Sequence, residues 1–185
     1  MKCFSTIATA ALAIVATLPV QAAVTVYGNS NARGCYEAAR DGRSGAGEIR
    51  NCAEAIADRT LSARDRVATL VNRGILYVRS GDFENGLADY ERALTIDAEE
   101  PDAYLNKALA LLRRNQSGEG LIPLFDAAIR LGTEEPAVAH YGRGVAHELN
   151  GDIVLAYNDI RRASELAPQW EAPARDLTRF VVREE

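Results

Sequence analysis

The sequence contains an internal repeat, which constrains the fold more than any other feature of the chain. Two segments align without gaps at an offset of 70 residues: TLVNRGILYVRSGDFENGLADYERALTID from Thr69 and AHYGRGVAHELNGDIVLAYNDIRRASELA from Ala139. Half of this offset predicts a copy between them, and AYLNKALALLRRNQSGEGLIPLFDAAIRLG begins at Ala103. A period near 34 residues with two amphipathic stretches per copy is typical of stacked antiparallel helix pairs.

Small residues recur at equivalent points of the three copies. Helices packed about 8–10 Å apart leave no room for a large side chain where they cross. We therefore predict the crossings at these small residues: Gly74, Ala108 and Gly144 in the first helices, and Ala93, Ala128 and Ala163 in the second. The Gly-Asp pairs at 81–82 and 151–152 predict a turn followed by a helix N-cap.

These recurrent positions resemble the tetratricopeptide repeat (TPR) family, in particular its small exported bacterial members. The first clear copy carries Gly74, Tyr77, Gly81-Asp82-Phe83, Tyr90 and Ala93 of the family pattern. The resemblance implies an all-α, right-handed solenoid of antiparallel helix pairs with a C-terminal capping helix. The predicted organisation is a TPR-like hairpin at 33–62, repeats at 67–100, 101–135 and 137–170, and the capping helix at 171–185.

The N-terminus predicts export from the cytoplasm. Lys2 precedes an apolar run from Ile7 to Leu18, and small or branched residues at Val20 and Ala22 suit signal peptidase. We expect a Sec-type signal peptide over 1–22, cut after Ala22 or alternatively after Ala23, and a periplasmic or secreted product. A retained membrane anchor is the competing interpretation, although a spanning helix needs about 20 apolar residues. We predict an extended leader over residues 23–31, because their composition is β-like and unlike the rest of the chain.

Cys35 and Cys52 flank a predicted hinge, Gly42–Gly45, at equal distances. In an antiparallel hairpin, residues equidistant from the turn face each other, so this spacing predicts a disulfide bond. A metal site is the alternative, but two thiolates need further ligands, and His140 and His147 are far away in sequence. A redox pair is the third interpretation, although such pairs are usually spaced C-x-x-C.

The sequence predicts neither catalysis nor a cofactor. It contains no Gly-rich phosphate loop, no H-E-x-x-H and no G-x-S-x-G. The formal net charge is −5, and one unit more negative without Lys2, which argues against nucleic acid as a partner. A periplasmic thiol-redox or hydrolytic enzyme with an unrecognised site is the alternative to an interaction protein.

The family resemblance implies a concave groove, lined by the first helix of each pair, that binds a protein partner as a peptide or a helix. The positions carried over are mostly aliphatic: Val71, Asn72, Ile75, Val78, Arg79, Leu105, Asn106, Leu109, Leu112, Arg113, Tyr141, Val145 and Glu148. Such a groove either receives an apolar segment of a partner or is covered from within or by self-association. The leader and the end of the chain are the candidate internal covers.

Overall fold

The computed structural model describes residues 2–5, 22–114 and 120–183. Most of the predicted signal peptide and part of the middle hinge lie outside these ranges. The described residues form nine helices and two short strands. In chain order these are β1 (Lys2–Ser5), α1 (Ser30–Arg40), α2 (Ala46–Ala57), α3 (Ala63–Arg79), α4 (Phe83–Ile96), α5 (Pro101–Arg113), α6 (Ile122–Leu131), α7 (Pro136–Leu149), α8 (Ile153–Leu166), α9 (Glu171–Leu177) and β2 (Phe180–Arg183). The predicted all-α class is confirmed.

The chain divides into two compact units. The first unit holds the described residues from Ala22 to Ala110, and the second holds β1 with the described residues from Leu111 onward. In the first unit, α3 packs against α4, and α1 and α2 pack against each other and against α3. Its core includes Leu70, Ile75 and Tyr90, all fully buried. In the second unit, α7 packs against α6 and α8, and α9 packs against α8.

The Gly-Asp pairs form turns at the places where the repeat predicts them. Gly81 and Gly151 have φ angles of 89° and 84°, a left-handed conformation that favours glycine. After the first turn, the Asp82 side chain accepts a hydrogen bond from the Asn85 N–H at 3.1 Å and caps α4. Asp152 makes no equivalent cap, and its carboxylate lies 3.6 Å from Nδ1 of His147 instead.

Gly74 lies at a close crossing of α3 and α4. A Cβ atom at this position would lie 2.5 Å from Cε1 of Tyr90, which is fully buried. We expect Gly74→Leu to lower the free energy of unfolding by about 1–3 kcal/mol through overpacking. Urea denaturation measures the change. Gly47→Ala in α2 is the control, because its Cβ would meet nothing within 4 Å. Equal stability of wild type and Gly74→Leu would contradict the crossing.

The end of the chain differs from the sequence prediction. The expected capping helix over 171–185 stops at Leu177, and Phe180–Arg183 form a strand that pairs antiparallel with Lys2–Ser5. Val181 and Val182 are β-branched and favour extended backbone, and the pairing with β1 supplies the hydrogen bonds that a helix would otherwise make. Across the described residues, no helix combines the length and the hydropathy needed to cross a bilayer.

Candidate functional site

An extended segment of the chain lies along α3. We call residues 22–28 the bound segment. The Val24 N–H donates to Oδ1 of Asn72 at 2.9 Å, and Nδ2 of Asn72 donates to the Val24 carbonyl oxygen at 2.7 Å. Two turns before Asn72, Oδ1 of Asp65 accepts from the Tyr27 N–H at 2.9 Å. One carboxamide therefore binds both main-chain polar groups of a single residue.

The spacing of these contacts defines the direction and conformation of the bound segment. Asp65 and Asn72 are seven residues apart, or about 10.5 Å along a helix. Val24 and Tyr27 are three residues apart, or about 10 Å in extended chain. The two lengths match, and the pairing of Val24 with Asn72 and of Tyr27 with Asp65 makes the segment antiparallel to α3.

A second asparagine, one repeat further along the chain, contacts the same segment. Nδ2 of Asn106 donates to the Ala22 carbonyl oxygen at 2.9 Å and to the Asp102 carbonyl oxygen at 2.8 Å. Asn106 is fully buried, and its Oδ1 has no hydrogen-bond partner among the described residues. Asn72 therefore bonds to both the N–H and the C=O of one residue of the segment, whereas Asn106 bonds only to a C=O.

Burial alternates with a period of two from Val24 to Tyr27, while Ala23 before them is partly buried as Val24 is. Ala22 and Val26 are each 5% exposed, and Val24 packs against the same hydrophobic clusters that contain Val71 and Ala68. Thr25 is exposed, and Tyr27 is 74% exposed. This is the pattern of a strand that presents one side to a protein core. From Val24 to Tyr27 the inward side chains are aliphatic, while the outward ones, Thr25 and Tyr27, are polar or aromatic.

Most of the predicted groove positions are buried in the structure. The buried ones are Val71, Asn72, Ile75, Val78, Leu105, Asn106, Leu109, Leu112, Tyr141 and Val145. Arg79 and Glu148 are half-buried and Arg113 is exposed. In the first unit we call six of these positions the inner face: Val71, Asn72 and Ile75 of α3, and Leu105, Asn106 and Leu109 of α5. The bound segment bonds to both asparagines of this face, fully to Asn72 and only through Nδ2 to Asn106, so it acts as an internal cover of the face.

In the second unit, residues at and beside the C-terminal helix contact two of the predicted groove positions of α7, Tyr141 and Glu148. The Tyr141 hydroxyl donates to the Asp176 carboxylate, and the Tyr141 and Trp170 rings meet edge to face at 4.9 Å. Nη1 and Nη2 of Arg179 donate to the Glu148 carboxylate at 2.7 and 3.0 Å. Burial and the hydrogen bond to Asp176 raise the pKa of Tyr141. These contacts hold Trp170, Asp176 and Arg179 against α7.

Two equivalent ion pairs were missed by the sequence analysis. Arg73 donates from Nε and Nη2 to Asp89 at 2.6 and 2.7 Å. At the offset of 70 residues, Arg143 donates in the same way to Asp159 at 2.7 Å for both bonds. The repeat alignment contains the signal, because arginine and aspartate recur at the same places in both copies.

The environment of Asp159 keeps its carboxylate charged. Burial alone would raise the pKa of Asp159, but the hydrogen bonds from Arg143 and from His140 at 2.9 Å outweigh it and hold the pKa below its usual value. The hydrogen bonds to Asp159 raise the pKa of Arg143 in turn, against the opposing effect of burial. This cluster therefore binds α7 to α8 as an ion pair throughout the neutral range.

Cys35 and Cys52 are joined by a disulfide bond, with their Cα atoms 5.0 Å apart. Both residues are fully buried in the cluster that contains Val71 and Ile75. A buried disulfide is inaccessible to an attacking thiolate in the folded state, since exchange requires access to a sulfur atom. No group of three or more potential metal ligands occurs within the described ranges.

These contacts define a helix-pair repeat protein in which an extended segment of the chain lies against helices α3 and α5. The tetratricopeptide repeat family profile matches residues 71–136. Residues 71–136 are therefore similar to tetratricopeptide repeats, and the fold of the described residues agrees with this similarity. No curated protein matches it.

Two solved structures show the same fold at low sequence identity. One is the first TPR of Spaghetti (RPAP3) bound to the HSP90 peptide SRMEEVD, with 20% identity, a TM-score of 0.58, and coverage of 65% of this chain and 94% of that chain. The other is MamA from Desulfovibrio magneticus RS-1, with 18% identity, a TM-score of 0.65, and coverage of 80% and 82% respectively.

Proposed function

We propose that the chain is a non-catalytic protein–protein interaction module of the cell envelope that binds a partner peptide on its inner face. The observation that carries the proposal is the Asn72 carboxamide, which binds both the N–H and the C=O of Val24. Contacts of this kind recognise main chain in extended form and do not depend on a particular side chain. The similar structure of Spaghetti (RPAP3) holds a peptide, which supports this use of the fold.

The chemistry of the inner face favours an uncharged stretch of the partner. Its aliphatic members are fully or almost fully buried, and its two polar members are neutral amides. A charged peptide group placed there would lose its hydration without gaining an opposite charge. The partner segment that we propose is therefore apolar and extended.

Peptide display tests this function. A random-peptide library is panned in parallel against the wild-type chain and against Val24→Asp, which weakens the seating of the bound segment. We expect enriched peptides whose binding falls at least about tenfold when Asn72→Leu is added, because two hydrogen bonds to the peptide are lost. Circular dichroism of Asn72→Leu controls for folding. Failure of both proteins to enrich peptides, or enrichment that ignores Asn72, would reject the function.

The envelope location rests on the sequence of the N-terminus and on the disulfide. Disulfide bonds persist in oxidising compartments, and the Cys35–Cys52 bond fits such a compartment. Fractionation of the native cell, followed by N-terminal sequencing, tests the location. A chain that begins at Ala23 in the envelope fraction supports export, whereas an intact Met1 in the cytoplasm contradicts it.

A further inference from the structure

The bound segment uses only some of the hydrogen-bonding groups that Asn72 and Asn106 offer to an extended chain. Asn72 and Asn106 occupy equivalent positions in successive repeats, and in the uncleaved chain they contact residues two apart in the segment, Val24 and Ala22. A chain cut after Ala22 loses the second contact and leaves Asn106 to the partner. Two residues is the period with which an extended chain returns to the same side. The site is thus built to bind the main chain at two alternate residues.

The occupancy of the two amides is unequal. Both polar atoms of the Asn72 carboxamide are satisfied by Val24, whereas Oδ1 of Asn106 is buried without a hydrogen-bond partner among the residues described. A buried acceptor left without a donor is unfavourable, commonly by an amount equal to a lost hydrogen bond. A chain that donates an N–H to this oxygen would fill the site better than the bound segment does.

We propose that the bound segment is an exchangeable occupant, and that the partner is an extended peptide that displaces it and satisfies both asparagines. The partner carries small aliphatic side chains at alternate positions, as Ala22, Val24 and Val26 do, and its residue opposite Asn106 donates its N–H to Oδ1. This inference rests on the proposed function, and it adds the chemistry of the partner and the competition that controls its binding.

Competition sets the apparent affinity of the partner. If the site is free for only a fraction of the time, the apparent dissociation constant of the partner equals its intrinsic dissociation constant divided by that fraction. The bound segment belongs to the same chain, so its effective concentration at the site is high, of the order of millimolar for a short tether. A free peptide of similar sequence therefore binds the wild-type chain weakly, and unseating the segment strengthens its binding.

The test uses the full chain and a synthetic peptide, acetyl-QAAVTVYG-amide, which copies residues 21–28 and carries a fluorophore. Val24→Asp unseats the segment, since it places a carboxylate against the hydrophobic cluster around Val24. Thr25→Asp is the matched control, because it adds the same charge at the exposed neighbouring position. We expect the peptide to bind Val24→Asp at least about tenfold more tightly than wild type, and Thr25→Asp like wild type.

A second peptide tests the Asn106 contact. Methylation of the backbone nitrogen of the residue that copies Ala22 removes the N–H proposed to reach Oδ1 of Asn106. We expect this peptide to bind Val24→Asp about two- to tenfold more weakly than the unmodified one, which is the effect of one hydrogen bond. Equal binding of the two peptides would overturn the second contact and with it the proposed partner chemistry.

Hydrogen exchange of the wild-type chain decides the question if Val24→Asp does not fold. An exchangeable segment opens without unfolding of the helices, so the Val24 amide should exchange at least about tenfold faster than the amide of Leu76 in α3. Equal exchange rates would show a permanent strap and overturn the proposal, as would equal peptide affinities for the three proteins.

The outcomes also separate this inference from the function on which it rests. Library peptides that bind wild type and Val24→Asp equally, in an Asn72-dependent way, would refute displacement and leave peptide binding intact. Absence of enriched peptides in both proteins would reject peptide binding itself. In that case the bound segment is a structural part of the first unit.

Discussion

Replacement of Arg73 by methionine is expected to lower the free energy of unfolding by about 3–5 kcal/mol, the range for breaking a buried ion pair. The Asp89 side chain is 3% exposed and that of Arg73 is 11% exposed, so water cannot replace the lost guanidinium. Arg92, at 3.2 Å from Asp89, is 56% exposed and compensates in part, which favours the lower end of the range. Urea denaturation at neutral pH measures the change.

The double variant Arg73→Met with Asp89→Leu is the control for this effect. A buried pair replaced as a whole by apolar side chains of similar volume commonly costs little, because no charge is left unpaired. We therefore expect the double variant to recover most of the lost stability. A loss below about 1 kcal/mol in the single variant would show that the pair behaves like an exposed salt bridge.

Removal of the disulfide is the second large effect that we expect. Cys35 and Cys52 are 17 positions apart, and a loop of this size restricts the unfolded chain by about 3 kcal/mol. Cys35→Ala combined with Cys52→Ala should therefore lose about 3 kcal/mol of unfolding free energy, together with the packing of two buried sulfur atoms. Thermal unfolding of the double variant beside the oxidised wild type measures this loss.

The reduced wild-type chain is the matched reference for that experiment, because it keeps the sulfur atoms and lacks only the cross-link. We expect its stability to lie between those of the oxidised chain and the double variant. If all three proteins unfold at the same temperature, the cross-link contributes nothing and the helices of the hairpin are held by packing alone.

The repeated pattern was enough to predict the class of fold. Stacked helix pairs need small residues at their crossings, and Gly74 does lie against Tyr90 in the close approach that the alignment indicates. The turns at Gly81 and Gly151 could be predicted because glycine is the residue that most readily adopts the positive φ angle found there. Features that depend on residues near each other in sequence, or on a recurring period, were accessible in this way.

The contacts of the bound segment could not be predicted from the sequence. The bonds between Asn72 and Val24 join a side chain to the main chain across 48 positions. Every residue type except proline has the same main-chain N–H and C=O groups, so the sequence does not indicate which residue Asn72 binds. The extent of the last helix was also misjudged, since β2 pairs with a strand from the other end of the chain. The family resemblance placed Asn72 and Asn106 on the groove, but only the structure identifies Val24 and Ala22 as the residues that they bind.

The bound segment has a consequence for how the sequence can change over generations. The asparagines contact its main chain, so they place no restriction on the side chains at Thr25 and Tyr27. Its inward positions are restricted by volume and polarity, because Ala22 and Val26 are buried. We therefore expect close relatives to vary at alternate residues of this stretch, and any relative that has lost Asn72 to have lost the small apolar residues at the intervening positions as well.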